Sequence, residues 1–239
     1  MNPRTQIISF GALFLATAIL LSSLLYTAEN ALSTVLTQAT VRDAPVIVLD
    51  AGHGGEDGGA TGTNGVLEKK LNLSLTSSLA ALLRLCGYTV VETRTEDKLL
   101  YDAGTPKGHK KQSDLENRLA FTKKYPDSIF ISIHMNTFPA AVCEGMQVWY
   151  SKGHGDSAEW ANAVQSTVTA LIQPHNHRRV KAAGSNIYIL RHATTPAILV
   201  ECGFLSTPSD CEKLCDPTYQ KGFALALCAA FFEKTAPQS

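Results

Sequence analysis

The stretch VIVLDAGHGGEDGGATGTNG, residues 46–65, joins a short apolar run to a glycine-dense loop. Four consecutive apolar residues, Val46 to Leu49, are typical of a strand that is buried on both faces of a sheet. The loop begins at the carboxyl end of this strand, which is where open α/β sheets bind their ligands. We therefore expect a buried strand that leads directly into a functional loop.

Strands and helices alternate along the chain on the C-terminal side of this loop. Leucines 71, 75, 79 and 82 keep helical spacing until Gly87, and β-branched residues then predict a strand over 88–94. Such alternation is typical of a single α/β domain with a mixed, mostly parallel β-sheet flanked by helices. The remaining pattern predicts a surface loop at 95–112, helices at 113–125 (with Ser113 and Glu116 as a capping box), 156–172 and 219–233, and strands at 128–134, 145–151, 187–190 and 197–201.

The N-terminal segment has a composition unlike the rest of the chain. Ile7 to Tyr26 are uncharged and mostly apolar, and a helix of this length spans about 30 Å, the thickness of a bilayer core. We predict a transmembrane anchor over residues 1–28, with a cleaved signal segment as the alternative, then a linker over 29–44 and one catalytic domain over 45–236. Arg4 precedes the apolar run, so the positive-inside bias places the domain on the extracytoplasmic face.

Overall charge and cysteine content exclude some classes of protein. The chain has 21 basic and 21 acidic residues, a balance that does not favour a general nucleic-acid-binding protein. The spacing of the six cysteines matches no disulfide scaffold. We expect buried or free thiols, although a bridge between Cys211 and Cys215 stays open.

Four ionisable residues stand where strands or helices meet loops. His53 follows the first strand, Glu68 opens the first helix, and His134 and Glu201 end the apolar runs SIFISIH and AILVE. Taken singly, each is more often an ordinary loop residue than a ligand. Together, two histidines and a carboxylate match a catalytic zinc site with an open position for water, and a second carboxylate remains to accept a proton. The pattern predicts a zinc site at the C-terminal ends of the strands.

Three motifs resemble a known family. VIVLDAGHGGEDGGATGTNGVLEK, SIHMN and ILVECGFLS together resemble the zinc-dependent N-acetylmuramoyl-L-alanine amidases of the amidase-3 type, across roughly residues 45 to 235. The resemblance implies hydrolysis of the amide between N-acetylmuramic acid and the first L-alanine of the peptidoglycan stem peptide. It also implies that His53, Glu68 and His134 bind Zn²⁺ and that Glu201 is the catalytic glutamate. Ala51 departs from the proline usual in the first motif.

The short chain with one N-terminal apolar segment resembles the sporulation type within this family. TPKGHKKQSDLENR and NIYILRHATTPAILVECGFLSTPSD strengthen that resemblance, which implies a role in muramic δ-lactam formation in spore cortex and a possible lipoprotein activator. The alternatives are a vegetative autolysin of the same family, a peptidoglycan deacetylase or peptidase that uses zinc, and a non-catalytic wall-binding protein. The run PHNHRRVK is either a basic patch for peptidoglycan carboxylates or an ordinary solvated surface.

Overall fold

In the computed structural model, six strands form one sheet in the order β2-β1-β3-β6-β4-β5. β2, β1, β3 and β6 run parallel to one another, whereas β4 is antiparallel to β6 and β5 is parallel to β4. The mixed, mostly parallel sheet expected from the sequence is confirmed. The strands are β1 (Val46–Ala51), β2 (Val90–Glu92), β3 (Ser128–Asn136), β4 (Gln147–Tyr150), β5 (Lys181–Ala182) and β6 (Ala197–Phe204).

The structure describes residues 22–23, 26–27, 44–140 and 143–236. The predicted N-terminal segment, 1–28, and linker, 29–44, lie almost entirely outside these residues. Within the described part of the chain, no helix combines the length and the apolar character needed to cross a bilayer. Asp43–Ser239 group into one compact unit.

Helices cover both faces of the sheet. Val48, Phe130 and Leu199 belong to a buried apolar cluster that also contains Leu119 and Leu190 from two of the helices. Strand residues of the opposite parity, which face the other way, are buried too, as expected for a parallel sheet with two covered faces. The helices are α1 (Glu68–Leu85), α2 (Lys110–Lys124), α3 (Asp156–Ile172), α4 (Tyr188–His192), α5 (Pro208–Cys215) and α6 (Pro217–Thr235).

Residues 187–190 were predicted to be a strand, and this prediction is wrong. The segment instead begins α4, whose Ile189 and Leu190 are buried in the apolar cluster of the sheet face. A short apolar run fits a buried strand and a buried helical turn equally well, so periodicity does not distinguish them.

The start of α2 also differs from the expectation. The helix begins at Lys110, and the hydroxyl of Ser113 accepts a hydrogen bond from the backbone N–H of Asp102 instead of capping the helix. Glu116 accepts a hydrogen bond from Gln112 within the helix. The serine that resembled a cap therefore fixes the preceding loop against α2.

Candidate metal centre

The carboxyl ends of β1, β3 and β6 bring the four predicted site residues to one edge of the sheet. His53 lies just beyond β1, and His134 on β3 pairs directly with Glu201 on β6. Glu68 is the first residue of α1, where a negative charge interacts favourably with the helix dipole. Strand order therefore places residues from distant parts of the sequence side by side.

Three of these residues form a compact group of possible metal ligands. One ligand atom from each of His53, Glu68 and His134 lies within 4.8 Å of the other two. The Glu68 carboxylate lies 3.3 Å from Nε2 of His53 and 3.0 Å from Nδ1 of His134. Asp57 accepts a hydrogen bond from the other nitrogen of His53, Nδ1, at 2.9 Å. Carboxylates in that outer position orient histidines that bind metals.

Backbone amides and glycines hold Glu68 in place. Its carboxylate accepts hydrogen bonds from the backbone N–H groups of Ala60 at 2.8 Å and Met135 at 3.0 Å. A Cβ atom at Gly59 would lie 2.6 Å from the Glu68 carboxylate, and one at Gly52 would collide with the His134 ring. Glycine is therefore required at both positions because the backbone passes close to the site.

The charges within this group shift the pKa values of its members in opposite directions. Burial lowers the pKa of His53, but the hydrogen bonds and negative charges of Glu68 and Asp57 outweigh burial and raise it to about 9. Burial raises the pKa of Glu68, yet the hydrogen bonds and charges of His134 and His53 hold it far below its ordinary value. These shifts favour a positive charge among the three side chains, and the donors are of the types that hold a divalent cation.

Glu201 lies beside this group in a different environment. Its Oε2 atom is buried and has no hydrogen-bond partner in the described residues. Burial, together with the negative charge of Glu68, raises the pKa of Glu201 to about 7 against the opposing effect of the histidines. A carboxylate with this pKa exchanges protons readily near neutral pH.

Two buried arginines that the sequence analysis missed hold the loop bearing His53. Arg118 donates hydrogen bonds to the carbonyls of Ala51 and His53, both at 2.8 Å. Arg94 donates to the carbonyls of Ala51 at 2.8 Å and Gly52 at 2.9 Å. Arg118 also pairs with Asp50 at 2.6 Å. These contacts are non-local, so no local sequence signal could have revealed them.

The other candidate groups lie outside this centre. Cys202, next to Glu201 in the sequence, is fully buried, and burial raises the pKa of its thiol well above the usual value. This environment suits a small packing residue. All six cysteines are free thiols, with the sulfurs of Cys86 and Cys228 3.8 Å apart. The remaining histidines, at positions 109, 154, 175, 177 and 192, are not in the metal-binding group.

Comparison with known proteins agrees with the motifs. A family model described as N-acetylmuramoyl-L-alanine amidase matches residues 47–232. The germination-specific N-acetylmuramoyl-L-alanine amidase of Bacillus subtilis is 33% identical over 184 residues, which cover 76% of each chain.

Solved structures with the same fold lead to the same family. The CwlD amidase of Clostridioides difficile, solved in complex with the GerS lipoprotein, is 34% identical, with a TM-score of 0.75 over 80% of this chain and 98% of that one. The amidase AmiC2 of Nostoc punctiforme is 28% identical, with a TM-score of 0.68 over 80% of this chain and 96% of that one. The chain thus belongs to the amidase-3 family of N-acetylmuramoyl-L-alanine amidases.

Proposed function

We propose that this amidase is zinc-dependent and that His53, Glu68 and His134 hold the ion. The support is the convergence of two imidazoles and a carboxylate whose ligand atoms lie within 4.8 Å of one another. A His₂Glu set is typical of catalytic zinc sites. Zinc in such a site makes water acidic and polarises the carbonyl of a scissile amide.

In this proposal Glu201 is the catalytic acid and base. The observation that carries it is the unpartnered, buried Oε2 atom beside the candidate ligands, in a carboxyl group with a pKa of about 7. Glu201 accepts a proton from the attacking water and later donates one to the departing nitrogen of L-alanine. The bond that breaks is the amide between the lactyl carbonyl of N-acetylmuramic acid and that nitrogen.

Substitution of Glu201 separates catalysis from metal binding. We expect Glu201→Gln to keep the zinc content of the wild type and to release stem peptides about 10²–10⁴-fold more slowly, since it loses only proton transfer. Zinc content by atomic absorption and peptide release from purified peptidoglycan provide the two measurements. His134→Ala serves as the comparison, because it should lower the zinc content itself. A Glu201→Gln enzyme that retains wild-type turnover would contradict the assignment.

The products also separate the amidase from other peptidoglycan hydrolases. Amide cleavage at the muramoyl end releases intact stem peptides with a free L-alanine amino terminus, which mass spectrometry detects. A deacetylase would release acetate, and a peptidase would cut within the stem peptide. Either of these products in place of intact stem peptides would contradict the proposed reaction.

The relatives support a sporulation setting for this reaction. One similar protein is named a germination-specific amidase, and another was solved with a lipoprotein. We therefore place the enzyme in muramic δ-lactam formation in spore cortex, with a lipoprotein as activator. Deletion of the gene should leave cortex muropeptides without δ-lactam if the role is correct. A purified lipoprotein partner should raise zinc content or peptide release.

The arrangement of the chain in the cell is part of the same proposal. Residues 1–28 anchor the protein in the membrane, 29–44 form a linker, and 45–236 form the catalytic domain on the extracytoplasmic side, where peptidoglycan lies. N-terminal sequencing of the mature protein tests the anchor. A mature N-terminus near residue 28 would show a cleaved signal segment instead.

A further inference from the structure

A cavity of about 460 Å³ lies next to the start of β4 and is lined by none of the four predicted site residues. Pockets of this size accommodate small molecules and short peptide segments. Its wall includes Gly145, which lies two residues before Gln147 on β4. Gln147 pairs directly with Glu201, and directly paired residues point their side chains to the same face of a sheet. The cavity therefore lies by the end of β4 at which Gln147 pairs with Glu201.

Arg178 links this cavity to the strand beside Glu201. Its Nε donates a hydrogen bond to the carbonyl of Glu144 at 2.8 Å, and its Nη1 donates to Oε1 of Gln147 at 3.2 Å. Its guanidinium carbon lies 4.6 Å from the centre of the Phe204 ring. These contacts fix the guanidinium plane, while Nη2 has no acceptor among the described residues. Arg178 thus presents an oriented donor at the cavity wall, and such donors are suited to carboxylates.

The charges around the site are unequally distributed. Lys213, His175 and His177 also line the cavity, and none of them forms an ion pair with a described residue. Two carboxylates are present there: Glu144 is exposed, and Asp210 accepts hydrogen bonds from backbone N–H groups. On the β1 side of the site, three acidic residues each have a basic partner: Asp57 with His53, Asp97 with Lys69, and Glu56 with Lys110. Free donors for an anion therefore lie on the β4 side.

We infer that Arg178 binds a carboxylate of the stem peptide beyond the scissile amide. This inference rests on the proposed function, because it takes the muramoyl peptide as the substrate. The stem peptide carries carboxylates, whereas the lactyl group of the muramic acid is tied up in the scissile amide. The peptide consequently extends from Glu201 over Gln147 towards the cavity, and the glycan lies on the β1 side. Arg178 is a specificity-determining residue for an acidic second residue of the stem.

Peptide binding tests this role without any need for turnover. The full chain in detergent is loaded with zinc and titrated with two released stem peptides, L-alanyl-γ-D-glutamyl-lysine and its counterpart in which the α-carboxylate of the D-glutamyl residue is amidated. We expect the acidic peptide to bind about tenfold more tightly, since a charge-assisted hydrogen bond is lost on amidation. Arg178→Gln should remove this difference. Arg179→Gln is the matched control, because Arg179 is the exposed neighbour of Arg178 and does not line this cavity.

The outcomes distinguish this inference from the proposed function. Equal binding of the two peptides by the wild type, or binding of neither, would overturn the role of Arg178, while zinc-dependent release of stem peptides would still support the amidase assignment. An Arg178→Gln protein that still prefers the acidic peptide would also overturn it. Lys213→Gln provides a second variant. The side chain of Lys213 makes no hydrogen bond to the described residues, and its loss should weaken binding of the acidic peptide alone.

Discussion

His53 adopts a backbone conformation that residues with side chains rarely adopt. Its φ is 62°, and it is the one non-glycine residue with a positive φ in the described parts of the chain. Such a conformation costs on the order of 1–3 kcal/mol when it is not compensated. The neighbouring residues compensate it, since Arg118 binds the carbonyl of His53 and Asp57 binds its ring. In this conformation the imidazole of His53 lies 3.3 Å from the Glu68 carboxylate.

Substitution of Gly52 tests whether the candidate metal centre requires the close approach of the backbone. In Gly52→Ala the new methyl group would collide with the His134 ring, so that imidazole must leave its observed position. We expect the zinc affinity to fall at least about tenfold, because the donors in catalytic zinc sites require fixed positions. Competition with a fluorescent chelator measures the affinity.

A second glycine supplies the control for this substitution. A Cβ atom at Gly108 would meet no atom within 4 Å, so Gly108→Ala should bind zinc as the wild type does. A Gly52→Ala protein with unchanged zinc affinity would show that His134 does not need its observed position to bind the ion.

The candidate ligands were predictable from the sequence because they lie at the ends of strands. The residues that support them were not predictable. His134 and Glu201 interrupt apolar runs, and a charged group in such a place attracts notice because its burial must be compensated. Arg94 and Asp57 carry no comparable signal, since each lies in a polar stretch. Their partners are set by how the loop after β1 folds back, which depends on contacts 4 to 43 residues apart.

Among the elements, α2 supports β1 through one buried side chain. Arg118 pairs with Asp50 at 2.6 Å and with Asp114 at 2.8 Å, and both carboxylates are buried. Asp50 also accepts hydrogen bonds from Thr93, directly after β2, and from Ser132 on β3. Burial raises the pKa of Asp50, but the charge of Arg118 and these hydrogen bonds hold it below its ordinary value. The network therefore locks the end of β1 at the point where the functional loop begins.

Arg118→Met should destabilise the fold through this network. Loss of the guanidinium leaves Asp50 as an uncompensated buried charge, so we expect the free energy of unfolding to fall by about 3–5 kcal/mol. Urea denaturation followed by circular dichroism measures this change. Arg191→Met is the matched control, because Arg191 is exposed on α4 and its side chain makes no hydrogen bond with the described residues. Equal stability of the two variants would contradict the role given to Arg118.

The elements that sequence reasoning missed are short and owe their form to packing. α5 (Pro208–Cys215) has proline in its first turn, a usual start signal, but its eight residues lack a long apolar period. β5 contains two residues and forms by pairing with β4. The longer elements, such as α1 and β3, carry enough periodic residues to be recognised without knowledge of their neighbours.

At the scale of the whole molecule, the metal centre couples stability to pH. His53 has a pKa of about 9 in place of 6.5, so its stabilising interactions are complete below pH 6.5 and are lost as the pH rises through 9. Glu201 has a pKa of about 7 in the folded protein in place of 4.5. Between pH 4.5 and 7 the folded protein therefore binds a proton that the unfolded chain has lost, and its stability also falls as the pH rises through this range. Asp50 and Glu68 have lowered pKa values, and their contributions are lost only in acid.

These signs predict that the metal-free protein is most stable near pH 4.5 and loses stability steadily towards pH 9. The contribution of His53 alone is on the order of 3 kcal/mol. In the proposed zinc site the ion takes the place of the proton among the same donors, so the zinc-loaded protein should lose far less stability over this range. Melting temperatures of chelated and zinc-loaded protein from pH 4 to 9 measure the difference. In chelated His53→Gln the melting temperature should fall less towards pH 9 than it does in the chelated wild type. If the chelated wild type melted at the same temperature at pH 5 and pH 9, the pKa values of His53 and Glu201 would not be raised. Protons would then not compete with zinc at this site.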